Sequence, residues 1–168
     1  MRQLPTPQQV LKNLHEDSLF KDWSGQHEYY LSHFFASVNN EFKAKTNWQV
    51  GFMDKATGKV TVFNCLENGF EIKPEDEVFK KDGDKVEELQ MANVKVSIDQ
   101  ALEAFQEKLK EHFSSELLGD GFVIVQTFKG NSIWNFSFIT KAMKFVNIKI
   151  STEDGKEVSH EVISLIQK

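Results

Sequence analysis

Residues 97–158 read SIDQALEAFQEKLKEHFSSELLGDGFVIVQTFKGNSIWNFSFITKAMKFVNIKISTEDGKEV. The run opens on Ser97-Ile98-Asp99-Gln100, the pattern of a capping box, in which a serine and a glutamine three residues later satisfy orphan N–H groups at a helix start. At about 100° per residue, Ile98, Leu102, Phe105, Leu109 and Phe113 fall in a stripe roughly 80° wide, which predicts an amphipathic helix. Gly119-Asp120-Gly121 is read as its stop. Three strand-like runs follow, Phe122 to Phe128, Ile133 to Thr140 and Phe145 to Thr152. In the second, Trp134, Phe136 and Phe138 share a face, and in the third Val146, Ile148 and Ile150 do. A helix on one face of an antiparallel sheet, with the other face wetter, is the consequence. The turn Glu153-Asp154-Gly155-Lys156 closes the unit, and the tail from Val158 to Ile166 fits either period but is read as a strand.

The first half carries similar signals in weaker form. Thr6-Pro7-Gln8-Gln9 starts a short helix through Val10, Leu11 and Leu14, and Phe20 to Gly25 reads as a loop held by Trp23. From His27 to about Ala44, Tyr30, Leu31, Phe34, Phe35, Val38 and Phe42 occupy a stripe roughly 140° wide, which predicts a second core-facing helix. Trp48, Val50 and Phe52 then alternate along a strand that turns through Asp54 to Lys59 into Val60 to Cys65, and Phe70 to Lys73 adds a short third strand. Both halves therefore run helix, Trp-led strand, Gly-Lys turn, although the spacings differ. The charged stretch at about 74–88 is read as a solvated connector and not as a metal site, because its lysines balance its carboxylates.

Composition bounds what such a protein does. A chain of 168 residues with 40% hydrophobic residues and 15 phenylalanines can build an aromatic core. A net charge of −5 argues against binding phosphate backbones, so nucleic acid is not expected as a partner. No run is long and apolar enough for a membrane helix, and no secretory pattern opens the chain; the expectation is a cytoplasmic protein without a membrane span. Cys65, the one cysteine, reads as a small buried hydrophobe.

The search for chemistry yields little. His27 and His33 lie six residues apart, which on a helix points them about 120° apart, so they do not form a zinc pair. His15, Asp17 and Asp22 could gather acid–base groups near one loop, whereas His112 and His160 have no partner set by the sequence. Neither a nucleophile motif nor a phosphate-cradling loop is present. Trp48 and Trp134 read as core anchors that could alternatively join Phe122 or Phe128 in an aromatic patch receiving a peptide or apolar ligand, and polar neighbours make Trp23 the aromatic expected to be exposed.

Three pieces of the second half resemble PepSY and PepSY-like modules. They are Val94-x-Val96-Ser97-Ile98-Asp99-Gln100-Ala101-Leu102 entering the helix, Trp134-Asn135-Phe136-Ser137-Phe138, and Val146-x-Ile148-x-Ile150 running into Gly155-Lys156-x-Val158. The likeness covers about residues 90–160, with a weaker copy in the first half. It implies an α+β fold of two tandem PepSY-like (cystatin-like) units, 1–73 and 89–168, joined by the connector. It also implies a non-catalytic binding or regulatory module for a protein partner, peptidase-related as in that family, where such modules commonly act outside the cytoplasm or at its membrane. The expectations are thus no enzyme activity, no cofactor and no metal, with weak binding candidates at Trp23, His27, Trp48, Phe122, Phe128 and Trp134. A homodimer is compatible with this reading. A carrier for a small apolar ligand, held between helices and a Phe-rich sheet, is the alternative.

Overall fold

Thr6 and Ser97 each start a helix that leads into four antiparallel strands. Thr6 accepts from the Gln9 N–H, with Pro7 in the first turn where a missing N–H costs nothing. Ser97 and Gln100 form the reciprocal capping box. The computed structural model describes residues 3–77 and 86–166. Its elements, in chain order, are α1 (Pro7–Glu16), α2 (Ser18–Ser24), β1 (Tyr29–Val38), β2 (Gln49–Asp54), β3 (Lys59–Leu66), β4 (Gly69–Glu77), α3 (Ile98–Phe113), β5 (Leu118–Phe128), β6 (Asn131–Thr140), β7 (Lys144–Ser151) and β8 (Glu157–Ser164).

The eight strands form one antiparallel sheet in the order β4-β3-β2-β1-β5-β6-β7-β8. Each half of the chain contributes one meander, and the two join where β1 pairs with β5 from His33 opposite Gln126 to Val38 opposite Gly121. Because successive side chains alternate, Phe34, Val50, Phe63, Val125, Trp134 and Ile148 point to the same face, and all three helices cover that face. The result is a single core that crosses the junction. Phe20 of α2 meets Phe52 and Phe63 at ring distances of 5.0 and 5.3 Å, while Phe105 of α3 stacks on Phe136 at 4.8 Å and on Phe138 at 5.4 Å. Full burial of each such ring contributes roughly 2–3 kcal/mol.

Trp48 and Trp134 are wholly buried and approach one another at 6.5 Å near the junction. The indole of Trp48 donates to the Pro5 carbonyl at 2.8 Å, and that of Trp134 to the Val96 carbonyl at 3.0 Å. Pro5 and Val96 each immediately precede a helix N-cap, Thr6 and Ser97. Both indoles therefore bury their rings without stranding an N–H, and both fasten a helix start to its meander.

Several expectations change. The helix expected over His27 to Ala44 is the strand β1 followed by a turn. Its stripe arose from two features of a central strand: apolar residues on both faces, Phe34 beside Phe35, and a bulge at Ser32 that shifts the period between Leu31 and His33. The loop expected at Phe20 to Gly25 is helix α2, capped by Asp17, whose carboxylate accepts from the Leu19 N–H at 2.9 Å. Trp23 belongs to its apolar side and is only 9% exposed, so the expectation of an exposed Trp23 fails. Gly119 and Gly121 lie inside β5 and not at a helix stop; a Cβ on Gly121 would come 2.5 Å from Cδ1 of Phe138, whose ring occupies that space. Strand β4 extends to Glu77, so part of the expected 74–88 connector is sheet; 78–85 lies outside the described residues. The two Gly-Lys turns are not equivalent, because Gly58 joins β2 to β3 whereas Gly155 joins β7 to β8.

Two measurements check this packing. Phe105→Ala should lower unfolding free energy by about 3–5 kcal/mol in urea denaturation, since its cavity would sit under both Phe136 and Phe138. Burial pushes the Cys65 thiol up to about 12, so iodoacetamide should label native protein far more slowly than unfolded protein at neutral pH.

Candidate functional site

With the helices on one side, the opposite face of the sheet carries no helix. At its centre Phe35 of β1 and Phe122 of β5 lie 5.5 Å apart with planes inclined by 30°. Beside them a polar track runs across β6 and β7. The Asn147 side-chain amide donates to Asn135 Oδ1, to Ser137 Oγ at 2.8 Å and to the Phe136 carbonyl at 3.3 Å, and Lys149 Nζ donates to Asn147 Oδ1 at 2.6 Å. All four polar side chains are buried by their neighbours within the sheet face.

Lys149 is the unusual member of this track. Its ammonium lies 5.0 Å from the centre of the Phe128 ring, with Lys129 on the same ring at 5.3 Å. Desolvation, aided by the Lys129 charge, pushes its pKa below the ordinary lysine value, and Glu161 only opposes this through space. Among the described residues no carboxylate forms an ion pair with it. Around this track Phe128, Ile139 and Ile163 are 38–49% exposed. On β1 the His33 ring lies across Gly51, where a Cβ would meet Cε1 at 2.2 Å, and Nδ1 is 2.9 Å from Ser32 Oγ. Burial lowers the His33 pKa to about 4.

The residues singled out from sequence separate into different roles. Phe122 and Phe128 stand on the open face, whereas Trp48 and Trp134 are core anchors beneath the opposite one. His27 stacks on Trp23 at 4.7 Å, and its Nδ1 lies 2.6 Å from Asp54 Oδ2. Asp54 is buried and also accepts from the Ala56 and Thr57 N–H groups, so it anchors the β2–β3 turn; the His27 hydrogen bond, followed by those turn amides, holds its carboxyl below the usual range despite burial. His15 instead packs edge-on against Phe20 and Asp17 caps α2, so no hydrogen bond links His15, Asp17, Asp22 or His27 into an acid–base set.

A third cluster joins residues that the sequence left apart. His112 from α3 and Glu157 and His160 from β8 bring one ligand-type atom each within 4.8 Å of one another. A shallow cleft of about 280 Å³ also lies between the halves, lined by Leu4, Val38, Phe42, Ala44, Ile98 and Leu102 among others. That is at the small end for a ligand pocket, because Trp48, Trp134 and Phe105 fill the space deeper in the core.

No family model matches the chain, and no curated protein matches it. Among solved structures it is similar to a protein described as a putative lipoprotein from Clostridium difficile 630, with a TM-score of 0.52 and 16% identity over 86% of this chain and 88% of that one. That likeness concerns the fold alone. No described helix is long and apolar enough to cross a membrane.

The buried imidazole gives a pH signature. Unfolded His33 takes up a proton near 6.5, whereas the folded ring stays neutral down to about 4. The unfolded state therefore binds more protons between those values, and stability falls as pH drops from 6.5 towards 4. His33→Gln should flatten that slope by up to about 3 kcal/mol, read from urea midpoints across the same pH range.

Proposed function

We propose that this chain is a non-catalytic binding protein that engages a protein partner through the open face of its sheet. The observation that carries the reading is Lys149, a buried ammonium held by Asn147 and Phe128 with no carboxylate paired to it among the described residues. Keeping an unpaired cation partly dehydrated costs stability, and a carboxylate from a partner would offset that cost. The flanking Phe128, Ile139 and Ile163 supply apolar area around this anchor, while the hydrogen-bonded Asn135–Ser137–Asn147 track holds its geometry. The partner is accordingly a protein surface that presents an aspartate, a glutamate or a terminal carboxylate beside apolar side chains. Tandem PepSY-like units would be arranged as a helix and meander, twice, and the functions associated with that family make peptidases the first partners to test.

Site-directed photo-crosslinking tests it, on cytoplasmic and envelope fractions alike. A photoreactive residue at Ile139 should give one discrete adduct that Lys149→Glu abolishes, and the same residue at exposed Lys12 on α1 should give none. Adducts of equal yield from both positions, or an Ile139 adduct indifferent to Lys149→Glu, would overturn the assignment.

A further inference from the structure

On the helix side of the sheet, at its β8 edge, the structure assigns a zinc-class cation site to His112, Glu157 and His160. Glu157 Oε1 lies 2.9 Å from His112 Nε2 and 3.1 Å from His160 Nδ1, so both imidazoles converge on one carboxylate. His112 Nε2 is buried yet makes no hydrogen bond, because Oε1, though close, is out of line for one. A ring nitrogen buried in this way, beside a carboxylate that it does not bond, is left with a coordination direction unused.

The backbone builds the convergence. Residues three apart on a regular strand point to opposite faces, which would separate Glu157 from His160. A bulge between β7 and β8 removes that separation: Glu157 pairs with Ile150 and His160 with Ile148, two residues that share the helix-facing side. Bulges re-aim side chains in this manner, often beside functional sites. His112 arrives from the last turn of α3, so the cluster ties the edge strand to the helix above it.

The donor set selects the cation. Two imidazoles and one carboxylate suit Zn²⁺ and neighbouring transition metals, whereas Ca²⁺ and Mg²⁺ take oxygen ligands. Nearby, Glu111 pairs with Lys108 at 3.0 Å, which, with smaller contributions from the two histidines, holds its carboxyl below the usual range. The imidazoles are stacked, centres 3.7 Å apart and planes 14° from parallel, so a shared ion would require them to fan apart until both ring planes contain it. His160, 42% exposed at the edge, has room to make that movement. Three protein ligands leave a fourth position towards solvent. This site is independent of the partner face, since it lies on the opposite side of the sheet.

Calorimetric titration of the chelator-treated full chain with ZnCl₂ should show one ion bound per chain. His160→Ala and Glu157→Gln should each weaken binding by roughly tenfold or more, with His15→Ala as an unaffected control. Co²⁺ should give visible absorption bands that the same two variants lose, and circular dichroism verifies that the variants remain folded. No saturable Zn²⁺ binding by the wild type, or binding that survives the His112→Gln/His160→Ala double variant, would overturn the site.

Discussion

The ladder between β1 and β5 is the constraint on which the rest of the molecule depends. Without it each meander would end in an open strand and each helix would cover half a core. With it, Trp48 and Trp134 meet across the junction, and each ties its own helix start down through an indole hydrogen bond. The same register sets which residues face away from the helices. Phe35 and Phe122 come together because Phe35 pairs with Ile124 and Ser37 with Phe122, which places the two rings diagonally on adjacent strands.

That arrangement divides the protein's chemistry between two faces. The helix-covered face is aromatic and closed, and the two indoles and Asp54 on it are paired with backbone carbonyls or turn amides. The open face carries a connected set of amide, hydroxyl and ammonium groups among exposed apolar residues. The aromatic core residues and the polar track of the open face are thus separated by strand parity, with the His112–Glu157–His160 cluster set apart at the β8 edge under the last turn of α3.

Much of the second half could be read without coordinates, because each of its signals is local. The capping box at Ser97 and Gln100, the narrow stripe of α3 and the alternation in β6 and β7 depend only on near neighbours in the chain. The first half was less legible for a physical reason. A strand buried between two others carries apolar side chains on both faces, and with a bulge at Ser32 the run from Tyr30 to Val38 imitates helical spacing. Among the site candidates, Phe122 and Phe128 could be named from sequence, but Lys149 could not, since a lysine in an alternating strand ordinarily faces water.

The sequence by itself determined the α+β class, the helix starts at Thr6 and Ser97, the three strands after α3 and the absence of any long apolar helix among the described residues. Tertiary structure alone decided that the two halves share one sheet, that Lys149 has no carboxylate paired to it among the described residues, and that His112 meets Glu157 and His160. Caps and periodicities are written in residues a few positions apart, so local chemistry is enough to specify them. The junction, the dehydrated ammonium and the histidine cluster depend on strand register and on one bulge opposite Ile150, and these are settled only when distant segments pack.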